Sequence, residues 1–101
     1  MKFDLFLKNY VNKLSEAIFF SNLQSINKAM LQIEKTIKRN NTIFVCGNGG
    51  SAAIANHYVC DYLKFLRQKT KYKPKVISLS NNIETITAIS NDFDNKKIFS
   101  Y

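Results

Sequence analysis

The chain has 101 residues, 46% of them hydrophobic, and a formal net charge of +8 at pH 7. A chain of this length supports one domain at most, burying roughly 65% of its unfolded surface, and its composition excludes a disordered polymer. No apolar run approaches the roughly 20 residues of a membrane span, and the charged start MKFDLFLKNYVNKL lacks the unbroken apolar stretch of a signal peptide.

These features predict a cytoplasmic protein with no membrane partner. Cys46 and Cys60 are isolated, and are expected to be buried thiols rather than a disulfide framework. Much of the positive charge falls in two clusters: Lys35, Lys38 and Arg39, and the run Lys64, Arg67, Lys69, Lys71, Lys73 and Lys75. The first complements a helix C-terminus. The second reads as a solvated helix end plus connector, which argues against nucleic acid as the partner.

In chain order, Phe3, Phe6, Tyr10, Val11, Leu14, Ala17 and Ile18 form a helical stripe. Ser21 heads S-N-L-Q, a capping-box pattern for a second helix. That helix carries Leu23, Ile26, Met30, Ile33 and Ile37 at the alternating spacing of a helix-packing seam. Asn40 and Asn41 break the pattern before an apolar strand over residues 42–46. A glycine-rich turn, Gly47-Asn48-Gly49-Gly50-Ser51, leads into a helix over residues 51–67. Ala52, Ala55, Tyr58, Val59, Tyr62 and Leu66 lie on its inner side. A connector, a second short strand over residues 75–79 and a short helix over residues 83–90 follow, and the tail resembles the start of another helix.

The expected fold class is α/β. A helical hairpin over residues 1–40 precedes the first part of a doubly wound parallel sheet over residues 41–101. Two parallel strands make a poor sheet, so the architecture is expected to be incomplete.

Three constellations carry candidate chemistry. The turn presents backbone N–H groups at a helix N-terminus, where an anion or polar ligand binds, and Asn48 and Ser51 add side-chain groups. Its G-x-G-x-x-A pattern is a weak dinucleotide match, because no carboxylate follows at the end of the second strand. No G-K-[ST] follows the glycines, which excludes a P-loop. His57 and Asp61 share one helix face, as a metal-ligating or acid–base pair or as a plain surface pair. Asn91 and Asp92 read either as the N-cap of a following helix or as hydroxyl-binding groups at the sheet edge.

The block FVCGNGGSAAIANH with the later VISLSNNIETITAISNDFDNKKIFS resembles the sugar isomerase (SIS) domain family. Within it the pattern is most similar to the phosphoheptose isomerases, which convert sedoheptulose 7-phosphate to a heptose phosphate. The resemblance implies that Asn48, Gly49, Gly50 and Ser51 bind substrate and that Asn91 and Asp92 contact sugar hydroxyls. It implies that His57 is a zinc ligand or substrate contact. It places Asp61 where the family has a glutamate serving as catalytic base and metal ligand. It further implies zinc as cofactor and a homotetramer assembled through the N-terminal helices.

The family's phosphate-binding loop and its distal Gln/His pair have no counterpart here, so the chain looks like an N-terminal half that is inactive alone. The alternative is a non-catalytic SIS protein of the kind that associates with the bacterial replication initiator. A degenerate product of a split gene is a third possibility.

Overall fold

The computed structural model describes residues 2–101. In chain order the elements are α1 (Lys2–Phe19), α2 (Leu23–Lys38), β1 (Thr42–Val45), α3 (Gly50–Cys60), a π-helical turn (Asp61–Leu66), α4 (Arg67–Lys69), β2 (Lys75–Ser78), α5 (Ile83–Asp92) and a 3₁₀ turn (Asn95–Lys97). The chain forms two compact units, one ending at Leu31 and the other spanning Gln32–Tyr101, so the division falls inside α2.

In the first unit, Phe3, Phe6 and Tyr10 stack one turn apart, with ring centroids 6.5 and 6.3 Å apart. The stripe continues through Leu14 and Ile18, all of it exposed, and no residue described in α1 is buried. The cap of α2 is Asn22 rather than Ser21. Its Oδ1 accepts the Ser25 N–H at 3.0 Å, while Ser21 Oγ turns back and donates to the Ile18 carbonyl at 2.6 Å. The cap acceptor must sit two or three residues before the N–H it satisfies, and α2 begins one residue too late for Ser21 to do this.

In the second unit, α2 ends in a Schellman motif. Asn40 takes the left-handed conformation (φ 58°), Asn41 N–H donates to the Thr36 carbonyl and Asn40 N–H to that of Ile37, both at 3.0 Å. Lys38 meets Glu34 at 2.6 Å on this last turn. Hydrogen bonding to Glu34, and then its charge, raise the pKa of the ammonium.

β1 and β2 pair in parallel, with Thr42 opposite Lys75, Ile43 opposite Val76, Phe44 opposite Ile77 and Val45 opposite Ser78. Alternation along the strands then separates two faces. Val76 and Ser78 are buried on the face that meets α3, where Ala55 is also buried. Phe44 and Ile77 share the other face and are 61% and 48% exposed. Pro74, fully buried, immediately precedes β2, and its carbonyl accepts from Arg67 at 3.4 Å. Lys75 Nζ donates to the Asn40 carbonyl at 3.3 Å. Two cations of the basic run are therefore tied to backbone carbonyls.

On α3 and the π turn, Ala52, Ala55, Tyr58, Val59, Tyr62 and Leu66 are buried or half-buried while their neighbours are exposed, as the helical spacing predicts. The single helix expected over residues 51–67 is interrupted by the π turn that begins at Asp61. Both cysteines are free but exposed, which corrects the expectation of buried thiols. Cys46 lies just past the end of β1 and Cys60 on the outer side of α3, beyond the reach of the small core.

The glycine turn is folded tightly onto the start of α3. A Cβ at Gly47 would lie 2.3 Å from the Ser51 carbonyl oxygen, whereas one at Gly50 would meet nothing within 4 Å. Gly47→Ala is therefore expected to destabilise the protein by about 2–3 kcal/mol. Gly50→Ala should be neutral or stabilising by up to about 1 kcal/mol. Urea unfolding followed by circular dichroism compares the two, and equal midpoints would refute the close approach.

Candidate functional site

The site is built where β1 gives way to α3. Gly49 is the residue before the helix and has φ 54° and ψ −124°, a conformation that a side chain resists. Ser51 N–H donates to the Asn48 carbonyl at 2.9 Å and Ala52 N–H to that of Gly49 at 3.0 Å, which closes the turn. Among the described residues, no acceptor takes the N–H of Asn48, Gly49 or Gly50. These donors lie at the positive end of an eleven-residue helix, an arrangement suited to an anion or a sugar oxygen. The Asn48 and Ser51 side chains are exposed beside them.

Two turns along α3, His57 Nε2 approaches Asp61 Oδ1 at 3.4 Å. Their side chains are 74% and 60% exposed, so the contact is a solvated one. Both residues line a shallow depression of about 460 Å³ together with Ala53, Ile54 and Tyr58. The pair offers a proton acceptor beside an imidazole. It supplies two of the four ligands a zinc ion needs, and among the described residues no third His, Cys, Asp or Glu completes a metal-holding group. The residues present therefore do not fit a zinc site by themselves.

Asn91 and Asp92 occupy the last turn of α5, and both are exposed. The Asn91 amide donates to Asp92 Oδ1 at 3.0 Å, and no hydrogen bond or ion pair among the described residues links either to the glycine turn or to His57. They are not an N-cap. That role falls to Asp94, whose side chain accepts from Lys96 N–H at the start of the 3₁₀ turn. α5 runs on for two residues past the expected end at Ser90, which places the pair inside the helix.

Sequence reasoning missed three polar residues that touch the turn or its supports. Ser80 Oγ accepts the Gly47 N–H at 2.9 Å and donates to the Gly47 carbonyl at 2.8 Å. Ser78, only 3% exposed, accepts from Ser80 N–H at 3.1 Å and donates to Asn56 Oδ1 at 2.6 Å. The available signal was a serine at an inward strand position two residues after Val76, where a hydroxyl requires a partner.

Comparison with known proteins places this arrangement. The model of the SIS domain matches residues 7–100. The chain belongs to the SIS-domain family. It is 33% identical over 94 residues to the phosphoheptose isomerase of Alteromonas mediterranea, covering 91% of this chain and 47% of that protein. It is 35% identical to the probable phosphoheptose isomerase of Thermoplasma acidophilum, covering 92% and 50%. A shorter match to the phosphoheptose isomerase of a Shewanella species is 40% identical, covering 76% and 39%. The structure of phosphoheptose isomerase from Neisseria gonorrhoeae superposes with a TM-score of 0.75 at 23% identity, covering 98% of this chain and 50% of that one. This last likeness establishes the SIS-type α/β fold. The chain spans about half the length of the relatives it matches. No helix among the described residues is long and apolar enough to cross a membrane.

Tyr58 gives the site a measurable pH signature. Its phenol is pushed above its usual value, first by burial and then by the neighbouring Tyr62 phenol, whose ring centroid lies 4.3 Å away. A proton held more tightly in the folded chain contributes stability that is complete below the unfolded pKa of about 10 and is lost as pH rises through the folded value. In an alkaline titration followed by tyrosinate absorbance, the last ionising phase is expected to vanish in Tyr58→Phe. Its persistence would assign the phase to another tyrosine.

Proposed function

We propose that this SIS-family chain carries the loop-and-helix half of a sugar-phosphate aldose–ketose isomerase of the phosphoheptose type. Its substrate would be sedoheptulose 7-phosphate and its product a heptose phosphate. The observation that carries this reading is the juxtaposition on one helix of an N-terminal glycine turn with unpaired N–H donors and a His57–Asp61 pair 3.4 Å apart. The names of the relatives supply the substrate class.

In this reading the turn, through Gly49, Gly50 and the side chains of Asn48 and Ser51, holds sugar oxygens and aligns the chain of the substrate. Asn91 and Asp92 offer further groups for hydroxyls. Asp61 takes the proton that moves between C1 and C2 through the enediol, and His57 orients that carboxylate and hydrogen-bonds the substrate. Proton abstraction requires the base within about 3 Å of its target. The enzyme would be cytoplasmic and homotetrameric, and the exposed apolar stripe of α1 supports assembly through the N-terminal helices.

A second reading, a SIS-domain binding protein without isomerase chemistry, is favoured by one feature. Asp61 is one methylene shorter than the glutamate that the family resemblance places here, and a misplacement of about 1 Å can cost about 100-fold in rate.

The chain alone is expected to show no turnover of sedoheptulose 7-phosphate in a coupled assay. Fused to the second half of the Alteromonas mediterranea relative, it is expected to turn the substrate over. Asp61→Ala should then lower the rate by about 100-fold or more, and Asp61→Glu should retain or raise it. A fusion that binds the sugar phosphate without converting it would favour the binding protein.

A further inference from the structure

We propose that Ser80, Ser78 and Asn56 form a positioning relay that sets the glycine turn at a fixed height against the helix carrying His57 and Asp61. What the relay positions rests on the isomerase reading of the turn and of the His57–Asp61 pair. The relay itself stands on geometry.

One hydroxyl holds both main-chain groups of Gly47. Ser80 Oγ accepts the Gly47 N–H at 2.9 Å and donates its own proton to the Gly47 carbonyl at 2.8 Å. A residue gripped at both groups cannot slide along the strand axis or rotate its peptide planes. On its other side Gly47 is closed in by the Ser51 carbonyl, 2.3 Å from where a Cβ would stand. The entry of the turn is thus held from two directions.

The grip is passed on to α3. Ser80 N–H donates to Ser78 Oγ at 3.1 Å, and the Ser78 hydroxyl donates to Asn56 Oδ1 at 2.6 Å. Each hydroxyl acts once as donor, that of Ser80 back to Gly47 and that of Ser78 on to Asn56, and the Ser80 N–H joins the two. Asn56 immediately precedes His57, so the last link fastens the stretch of α3 backbone that carries the imidazole.

Strand pairing alone does not require this arrangement. The end of the ladder is already fastened by Leu79 N–H donating to the Val45 carbonyl at 2.9 Å. Ser78 is 3% exposed, on the face where Val76 packs, and an apolar side chain would serve packing there without the cost of burying a hydroxyl. The serine is accounted for by its two bonds. Because about 1 Å of displacement in a reacting geometry can cost about 100-fold, a rigid link between binding turn and acid–base pair has a function that packing does not supply.

The chain's three glycines all lie in the turn, so selective ¹⁵N-glycine labelling gives three amide signals that report on nothing else. In Ser80→Ala, the Gly47 amide is expected to exchange with solvent about 10-fold or more faster than in the unsubstituted protein. The Gly49 and Gly50 signals are expected to shift or broaden. Ser80→Thr, which keeps the hydroxyl, should restore all three. Glycine signals and exchange in Ser80→Ala that match the unsubstituted protein would overturn the proposal, as would a failure of Ser80→Thr to restore them.

If Ser80→Ala does not fold, Asn56→Ala decides. It lies at an exposed helical position where alanine favours the helix, and it should speed Gly47 exchange by about threefold; no change overturns the relay. Titration with sedoheptulose 7-phosphate, with inorganic phosphate as control, separates the two proposals. Glycine signals that ignore the sugar phosphate count against the functional reading, while the exchange data still decide the relay.

Discussion

The close approach of Gly47 to the first turn of α3 is the constraint on which the site depends. Only a residue without a Cβ fits there, and the two bonds from Ser80 hold it in place. From that fixed point the backbone passes through Gly49 at φ 54° and enters α3 at Gly50, and among the described residues no acceptor takes the N–H of Asn48, Gly49 or Gly50. The array of open donors at the turn is therefore a consequence of main-chain geometry. The exposed side chains of Asn48 and Ser51 stand beside donors that the fold has already placed.

The sheet explains why this small unit can support such a turn and also why its core is slight. Parallel pairing of β1 and β2 puts their C-terminal ends side by side, which brings Ser80 to Gly47. One face of the pair is covered by α3 and holds Val76, Ser78 and Ala55. On the other face Phe44 and Ile77 lie directly opposite each other and exposed. Parallel sheets are ordinarily covered on both faces. A chain that spans about half the length of its relatives shows one covered face of that architecture.

The chemistry of the helix is held more loosely than the turn. His57 and Asp61 meet at 3.4 Å with most of each side chain in water, where such a contact contributes little to stability. Their proximity follows from helical spacing and costs the fold almost nothing. Tyr58, in the same depression, is half-buried and stacked on Tyr62. The structure is thus firm at the glycine turn and open at the His57–Asp61 pair.

Much of this was legible in the sequence, for definable reasons. Hydrophobic periodicity specified the order of helices and strands, and the inner positions Ala52, Ala55, Tyr58, Val59, Tyr62 and Leu66 were correct to the residue. Glycine clustering marked the turn, and a spacing of four set His57 beside Asp61. Such features depend on neighbours within a turn or two, so local pattern determines them. Other features required the tertiary structure. The choice of Asn22 over Ser21 as cap, the π turn at Asp61 and the exposure of both cysteines depend on where each element meets the rest of its unit. The bonds of Ser80 to Gly47 cross a separation of 33 positions, and only the pairing of two strands makes them neighbours. Local spacing placed the glycine turn and the His57–Asp61 pair, and strand pairing decided which side chains hold the turn.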